Sequence, residues 1–102
     1  MRHIENQILE IAKKVLQGYR KNRYKESDIE NAIFDENEEL MRGANKGKKH
    51  PCWTVSIKAP FDNSDFLTIS DETGEPLYYQ NFNMIVYEIG KDDEDNYFRK
   101  EN

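Results

Sequence analysis

The sequence predicts an α+β fold: an N-terminal amphipathic helix packed on one antiparallel sheet of three to five strands. Three observations predict it. Apolar residues recur at helical spacing near the start of the chain. From Pro51 to Ile89 they fall instead in short, alternating runs. The gaps between those runs are hairpin-sized and leave no room for the crossover helices that parallel strands need.

The helix rests on Ile4, Ile8, Ile11, Val15 and Tyr19, with Ala12 and Leu16 widening the stripe. Glu10 and Lys14 stand four apart in the order that favours a surface ion pair. Gly18 weakens the end of the helix, which should stop between Gly18 and Asn22. Residues 20–25 then read as a basic exit loop.

Residues 26–42 support two readings. Ser27 with Glu30 forms a capping-box pattern, and Ile29, Ile33 and Leu40 share a helical face that Glu36 and Asn37 interrupt. The strand reading runs from Ile29 to Asp35, with Ile29, Asn31 and Ile33 on one side and Ala32 and Phe34 on the other. The strand is preferred, because the later strands need a partner and one helix already covers so small a sheet. Residues 43–49 are a flexible, lysine-rich loop.

The remaining strands are expected at 52–58, 66–71, 76–80 and 84–89. Trp53, Val55 and Ile57 alternate with Thr54, Ser56 and Lys58. Leu67 and Ile69 share one face of the next strand, and residues 59–65 form the loop before it. Residues 71–76 make a turn in which Gly74 supplies a positive φ. Tyr78 and Tyr79 point to opposite faces, and Asn81-Phe82-Asn83 reads as a tight turn or a bulge. The last strand is apolar on both faces: Met84 and Val86 on one, Ile85, Tyr87 and Ile89 on the other. Such a strand is central or faces a second copy, so a homodimer is expected if 26–42 is a strand. The domain spans 1–90, and 91–102 form a polar, acidic, fraying tail.

The chain has 102 residues, enough for one domain but little room for a deep, closed active site. It carries 20 acidic and 15 basic side chains, and the net charge of −5 hides strong segregation. Residues 1–25 sum to +5, residues 26–45 to −6, and residues 60–102 to −8, while residues 46–59 hold four lysines and no acid. Fields of one sign speed association with the opposite sign. The single cysteine, Cys52, excludes an intramolecular disulfide. With no apolar signal core and no stretch of about 20 apolar residues, a cytoplasmic protein with no membrane contact is expected.

Two segments carry a family resemblance. Trp53-Thr54-Val55-Ser56-Ile57 is a strand of the W-x-V-x-apolar type. Phe66 to Ser70 then runs into Asp71-Glu72-Thr73-Gly74-Glu75-Pro76-Leu77-Tyr78, an acidic Thr-Gly turn between strands. Together, over about 30 residues, they resemble small helix-plus-sheet domains of the PepSY type and immunity proteins of bacterial toxin systems. PepSY proteins are typically exported, and this chain shows no signal. The immunity-type resemblance implies a cytosolic binder that blocks a toxin through a surface, with no catalytic residues to carry over.

Recognisable catalytic chemistry is absent. Gly43 to Lys49 is one residue short of a phosphate-binding loop and has lysine where the metal-binding hydroxyl belongs. The acidic bulk and the lack of a helix-turn-helix pattern argue against nucleic acid. His3, His50 and Cys52 do not make a zinc set, and the acidic residues do not match a calcium loop. A nucleophile would need a held base, and there are only two histidines, one of them close to the N-terminus. No catalytic residue, metal or cofactor is therefore expected.

The expected function is a non-catalytic protein-interaction module, an immunity-type or inhibitor-like binder of a basic partner such as a toxin. The candidate contact residues are Tyr78, Phe82 and Tyr87, as aromatic anchors, with Asp71 and Glu72. The alternative is a small enzyme or ligand-binding domain with a shallow pocket on the open sheet face.

Overall fold

The computed structural model describes residues 2–94 and 96–100. Helix α1 spans Glu5–Arg20 and is followed by two short 3-10 turns, Lys21–Arg23 and Glu26–Asp28. The strands are β1 Ile29–Glu39, β2 Lys49–Ala59, β3 Asn63–Ser70, β4 Pro76–Gln80, β5 Val86–Lys91 and β6 Tyr97–Arg99. They form one antiparallel sheet in simple chain order, β1 to β6, so six strands replace the expected three to five.

The stripe read from the sequence is the buried side of α1: Ile8, Ala12, Val15 and Leu16 have no exposed surface. The Ile4 N–H at the start donates to Gln7 Oε1 at 2.9 Å. The helix stops at Lys21, whose φ of 52° leaves helical geometry while its N–H still donates to Gln17 O. Glu10 pairs with Lys13 at 2.9 Å rather than with Lys14, and Lys13 also reaches Glu26 at 2.7 Å.

The sheet presents Ala32, Trp53, Val55, Ile57, Leu67, Ile69 and Tyr79 to the helix, with Ile89 and Tyr97 at the margin. The register explains this set. Ala32 faces Val55, Val55 faces Leu67, Leu67 faces Tyr79, and Tyr79 faces Tyr87 across successive strands. Helix α1 touches both β1 and β6, the two edges of the sheet. A flat six-stranded sheet would be about 24 Å wide and a helix is about 10 Å across, so the sheet must curl around the helix.

The segment 26–42 resolves as strand, and β1 continues past Asp35 to Glu39. Ala32 and Phe34 share the helix side as alternation requires. Ile29 does not stay with Asn31 and Ile33: a register shift between Ile29 and Asn31 turns it toward the core as well. Strand β2 also starts before Cys52, at Lys49, and β3 starts at Asn63 rather than Phe66.

Two expectations about the C-terminal third change. Strand β5 begins at Val86, not Met84, because Asn81 organises the preceding turn. Its Oδ1 accepts the N–H groups of Asn83 at 2.9 Å and Ile85 at 3.1 Å. Met84 adopts φ 68° there and, with Ile85, projects outward. The outer face of β5 is thus Val86 and Glu88 rather than a second apolar row. The segment read as a tail instead returns as β6, which pairs with β5 through Ile89 and Arg99, Gly90 and Phe98, and Lys91 and Tyr97. Asp92 shapes that hairpin by accepting from the N–H groups of Glu94 and Asn96, both at 2.9 Å. Residues 95, 101 and 102 of the tail lie outside the described residues.

The outer face has a small core of its own. Leu40, Cys52 and Tyr78 are buried together, with Leu77 and Val86 against them. The β1–β2 loop is held over this cluster, where Leu40 N–H donates to Lys48 O at 3.0 Å and Gly47 N–H to Leu40 O at 2.8 Å. Gly47 takes φ +86°, which a side chain would strain. Tyr78 and Tyr79 do point to opposite faces, and both are buried.

Among the described residues, no helix is long and apolar enough to cross a membrane.

Candidate functional site

The five residues singled out in the sequence lie in four places. Tyr78 belongs to the buried outer cluster, and burial followed by the Glu38 carboxylate pushes its phenol pKa up. Asp71 is 1% exposed and serves as an internal acceptor. It takes the N–H groups of Arg2 at 2.6 Å and His3 at 2.9 Å, and the Trp53 indole N–H at 2.9 Å. His3 is fixed by the same contact, its Nδ1 donating to Asp71 O at 2.6 Å. Tyr87 is half-buried, with the Arg99 guanidinium 4.4 Å above its ring. Phe82 and Glu72 are the two that reach solvent, in the β4–β5 and β3–β4 turns.

A row of exposed acidic side chains lies elsewhere, on β1. This strand is a sheet edge, so one side of its backbone has no strand neighbour. Glu30, Asp35, Glu36 and Glu39 are exposed along it, and no basic residue occurs between Glu26 and Met41. None of these four makes an ion pair among the described residues. Glu38, half-buried, has its pKa raised first by burial and then by the Asp35 carboxylate. Ile33 adds an apolar side chain, 62% exposed, in the middle of the strand.

A second locus lies at the C-terminal end of α1. A depression of about 660 Å³ is lined by Tyr19, Arg20, Arg23 and Lys25 from one side, Lys58 to Pro60 from another, and Asp65, Tyr79 and Asn81 from the sheet. Its floor is a closed network. Tyr79 OH donates to Asp65 Oδ2 at 2.6 Å, and Phe82 N–H donates to Asp65 Oδ1 at 2.8 Å. Arg20 donates to Asp28 at 3.0 Å and to Lys58 O at 3.0 Å, and stands 3.5 Å from Asp65. Tyr19 stacks on Tyr79 with ring centres 4.6 Å apart. Burial, and then the bond to Asp65, pushes the Tyr79 phenol pKa up.

No family model matches the chain, and no curated protein or solved structure does. The PepSY-type and immunity-type resemblances thus gain no relative to rest on.

One pairing escaped the sequence. His50 Nε2 lies 2.8 Å from Ser70 Oγ, two groups brought together by the β2–β3 pairing. Ser70 is buried, 2% exposed. The pair ties β2 to the β3–β4 turn, where Ser70 Oγ also accepts from Thr73 N–H at 3.4 Å. Among the described residues, no three His, Cys, Asp or Glu side chains stand together to hold a metal ion.

Cys52 has no exposed surface. Burial, reinforced by Glu38 and Asp35, pushes its thiol pKa up to about 12. The thiolate is the reactive form, so Cys52 should resist a maleimide or disulfide reagent at pH 8 in the folded protein and react at once in denaturant. Rapid stoichiometric labelling under native conditions would contradict this burial.

Proposed function

We propose that the chain is a non-catalytic interaction module whose edge strand β1 receives a basic partner protein. The observation that carries this reading is an acidic edge with no basic residue on it: Glu30, Asp35, Glu36 and Glu39 are exposed along a strand that has no strand neighbour on one side among the described residues, with Ile33 among them. Carboxylates on an edge strand repel a second acidic chain. They attract a basic one, and the free N–H and C=O groups can then accept an added strand. An inhibitor of a basic toxin is one form this role takes.

The test is a comparison of two baits in the same cell extract: the wild-type chain, and a variant with Glu30, Glu36 and Glu39 changed to lysine. All three side chains are exposed, so the fold should survive. A basic protein should be retained by the wild type at low salt, lost as salt rises, and absent from the charge-reversed bait. Equal retention by both baits, or none by either, overturns the reading.

A further inference from the structure

The depression at the end of α1 has a charge opposite to that of the chain. Four cations line it, Arg20, Arg23, Lys25 and Lys58, against two carboxylates, Asp28 and Asp65. Both carboxylates are already matched. Asp28 holds Arg20 at 3.0 Å. Asp65 accepts from Tyr79 OH at 2.6 Å and from Phe82 N–H at 2.8 Å, and has Arg20 3.5 Å away. Arg20 is the shared partner of both. Arg23, Lys25 and Lys58 are left with no ion pair among the described residues. They come from two separate elements and border one cavity.

Three cations without an ion-pair partner around one concave surface make it locally positive, which favours an anion there. The chain as a whole has net charge −5, so this is a local inversion, not a general basic surface. The volume of about 660 Å³ is that of a small-molecule site, larger than a bare anion needs. The half-buried Tyr19 ring, backed by the buried Tyr79 on which it stacks, borders the depression and offers an apolar surface to the body of a ligand. A ligand that fits carries a concentrated negative group and an apolar or ring-shaped remainder. We propose that this depression binds a phosphate monoester, with Arg23, Lys25 and Lys58 around the phosphate and the Tyr19 ring beside the rest. A dianionic phosphate gains from several cations at once, whereas a carboxylate is satisfied by one. This inference does not depend on the edge-strand reading, since the residues are different.

The probes are phenyl phosphate, inorganic phosphate and benzoate, each titrated at constant ionic strength while backbone amide resonances are followed. Phenyl phosphate should shift the amides of Arg23, Lys25 and Lys58 in a saturable way, with Kd near or below about 1 mM. Inorganic phosphate should move the same amides more weakly, and benzoate least. Changing Arg23 and Lys58 together to alanine should weaken phenyl phosphate about tenfold or more. Both side chains are outside the Arg20 network apart from the Lys58 carbonyl, which alanine keeps, so the variant should fold. The control, Lys48 and Lys49 to alanine at the far end of the sheet, removes equal charge and should leave the affinity unchanged. The proposal is overturned if no probe saturates, if benzoate matches phenyl phosphate, or if both double variants lose affinity equally.

Discussion

Replacing Asp71 with alanine should lower the unfolding free energy by about 3 kcal/mol, the cost of stranding several buried donors at once. In a domain of this size that corresponds to a fall in Tm of roughly 12 °C or more. The Trp53 indole N–H loses its acceptor inside the core, and the backbone N–H groups of Arg2 and His3 lose theirs. The start of the chain is then released from the β3–β4 turn. A loss below about 1 kcal/mol in denaturant melts would show that these bonds do not anchor the terminus.

The same carboxylate sets an acid limit. Burial, the largest single influence, raises its pKa, but the bonds from Arg2, Trp53 and His3 outweigh burial and hold it below the ordinary value. A depressed folded pKa stabilises the fold at every pH above the unfolded value of about 3.9. That contribution disappears as pH falls through the lower folded value. Asp71→Asn keeps the shape without the titration. The stability difference between wild type and Asp71→Asn should therefore be constant near neutrality and shrink below about pH 4. Parallel acid limbs for the two proteins would contradict this.

Gly18→Ala tests a second contact in which two effects oppose each other. In an exposed helix the change would stabilise by about 1 kcal/mol, because alanine is the better helix former. Here a Cβ on residue 18 would lie 2.4 Å from the Tyr97 backbone oxygen. Backbone cannot rotate aside as a side chain can, so β6 must shift away from α1. The clash should win by about 2 kcal/mol net. The loss should appear as faster amide exchange in β6 and its β5 partners. A neutral or stabilising result would mean that β6 does not need this close approach.

Gly18 also shows how far the sequence could be read. It was legible as a weak point near the end of a helix, and the helix does stop at Arg20. Its second role was hidden, because Tyr97 is far away in the chain and Tyr97–Arg99 is too short for alternation to be visible. The central strands were legible because Trp53, Val55, Ile57, Leu67 and Ile69 all bury one face of a period-two pattern. Tyr78 follows that pattern too, yet its cover comes from Leu40, on a loop whose path no local period encodes. Asp71 looked like a solvated turn acid, and only the docked N-terminus turns it into a buried acceptor. The cation-lined depression was illegible for the same reason: Arg23, Lys58 and Asp65 belong to separate elements.

The helix lies inside the curl of a sheet whose strands all follow it in the chain. Each strand pairs with its immediate successor, so the sheet can grow hairpin by hairpin as it is synthesised. The helix cannot finish folding on that schedule. Its partners Leu67, Ile69 and Tyr79 emerge only after more than half of the chain has been made, and Tyr97 emerges last. Until then Ile8, Ala12, Val15 and Leu16 form a bare apolar stripe on a nascent chain. The period between making the helix and closing β6 over it is therefore when this protein is most open to aggregation and to capture by chaperones.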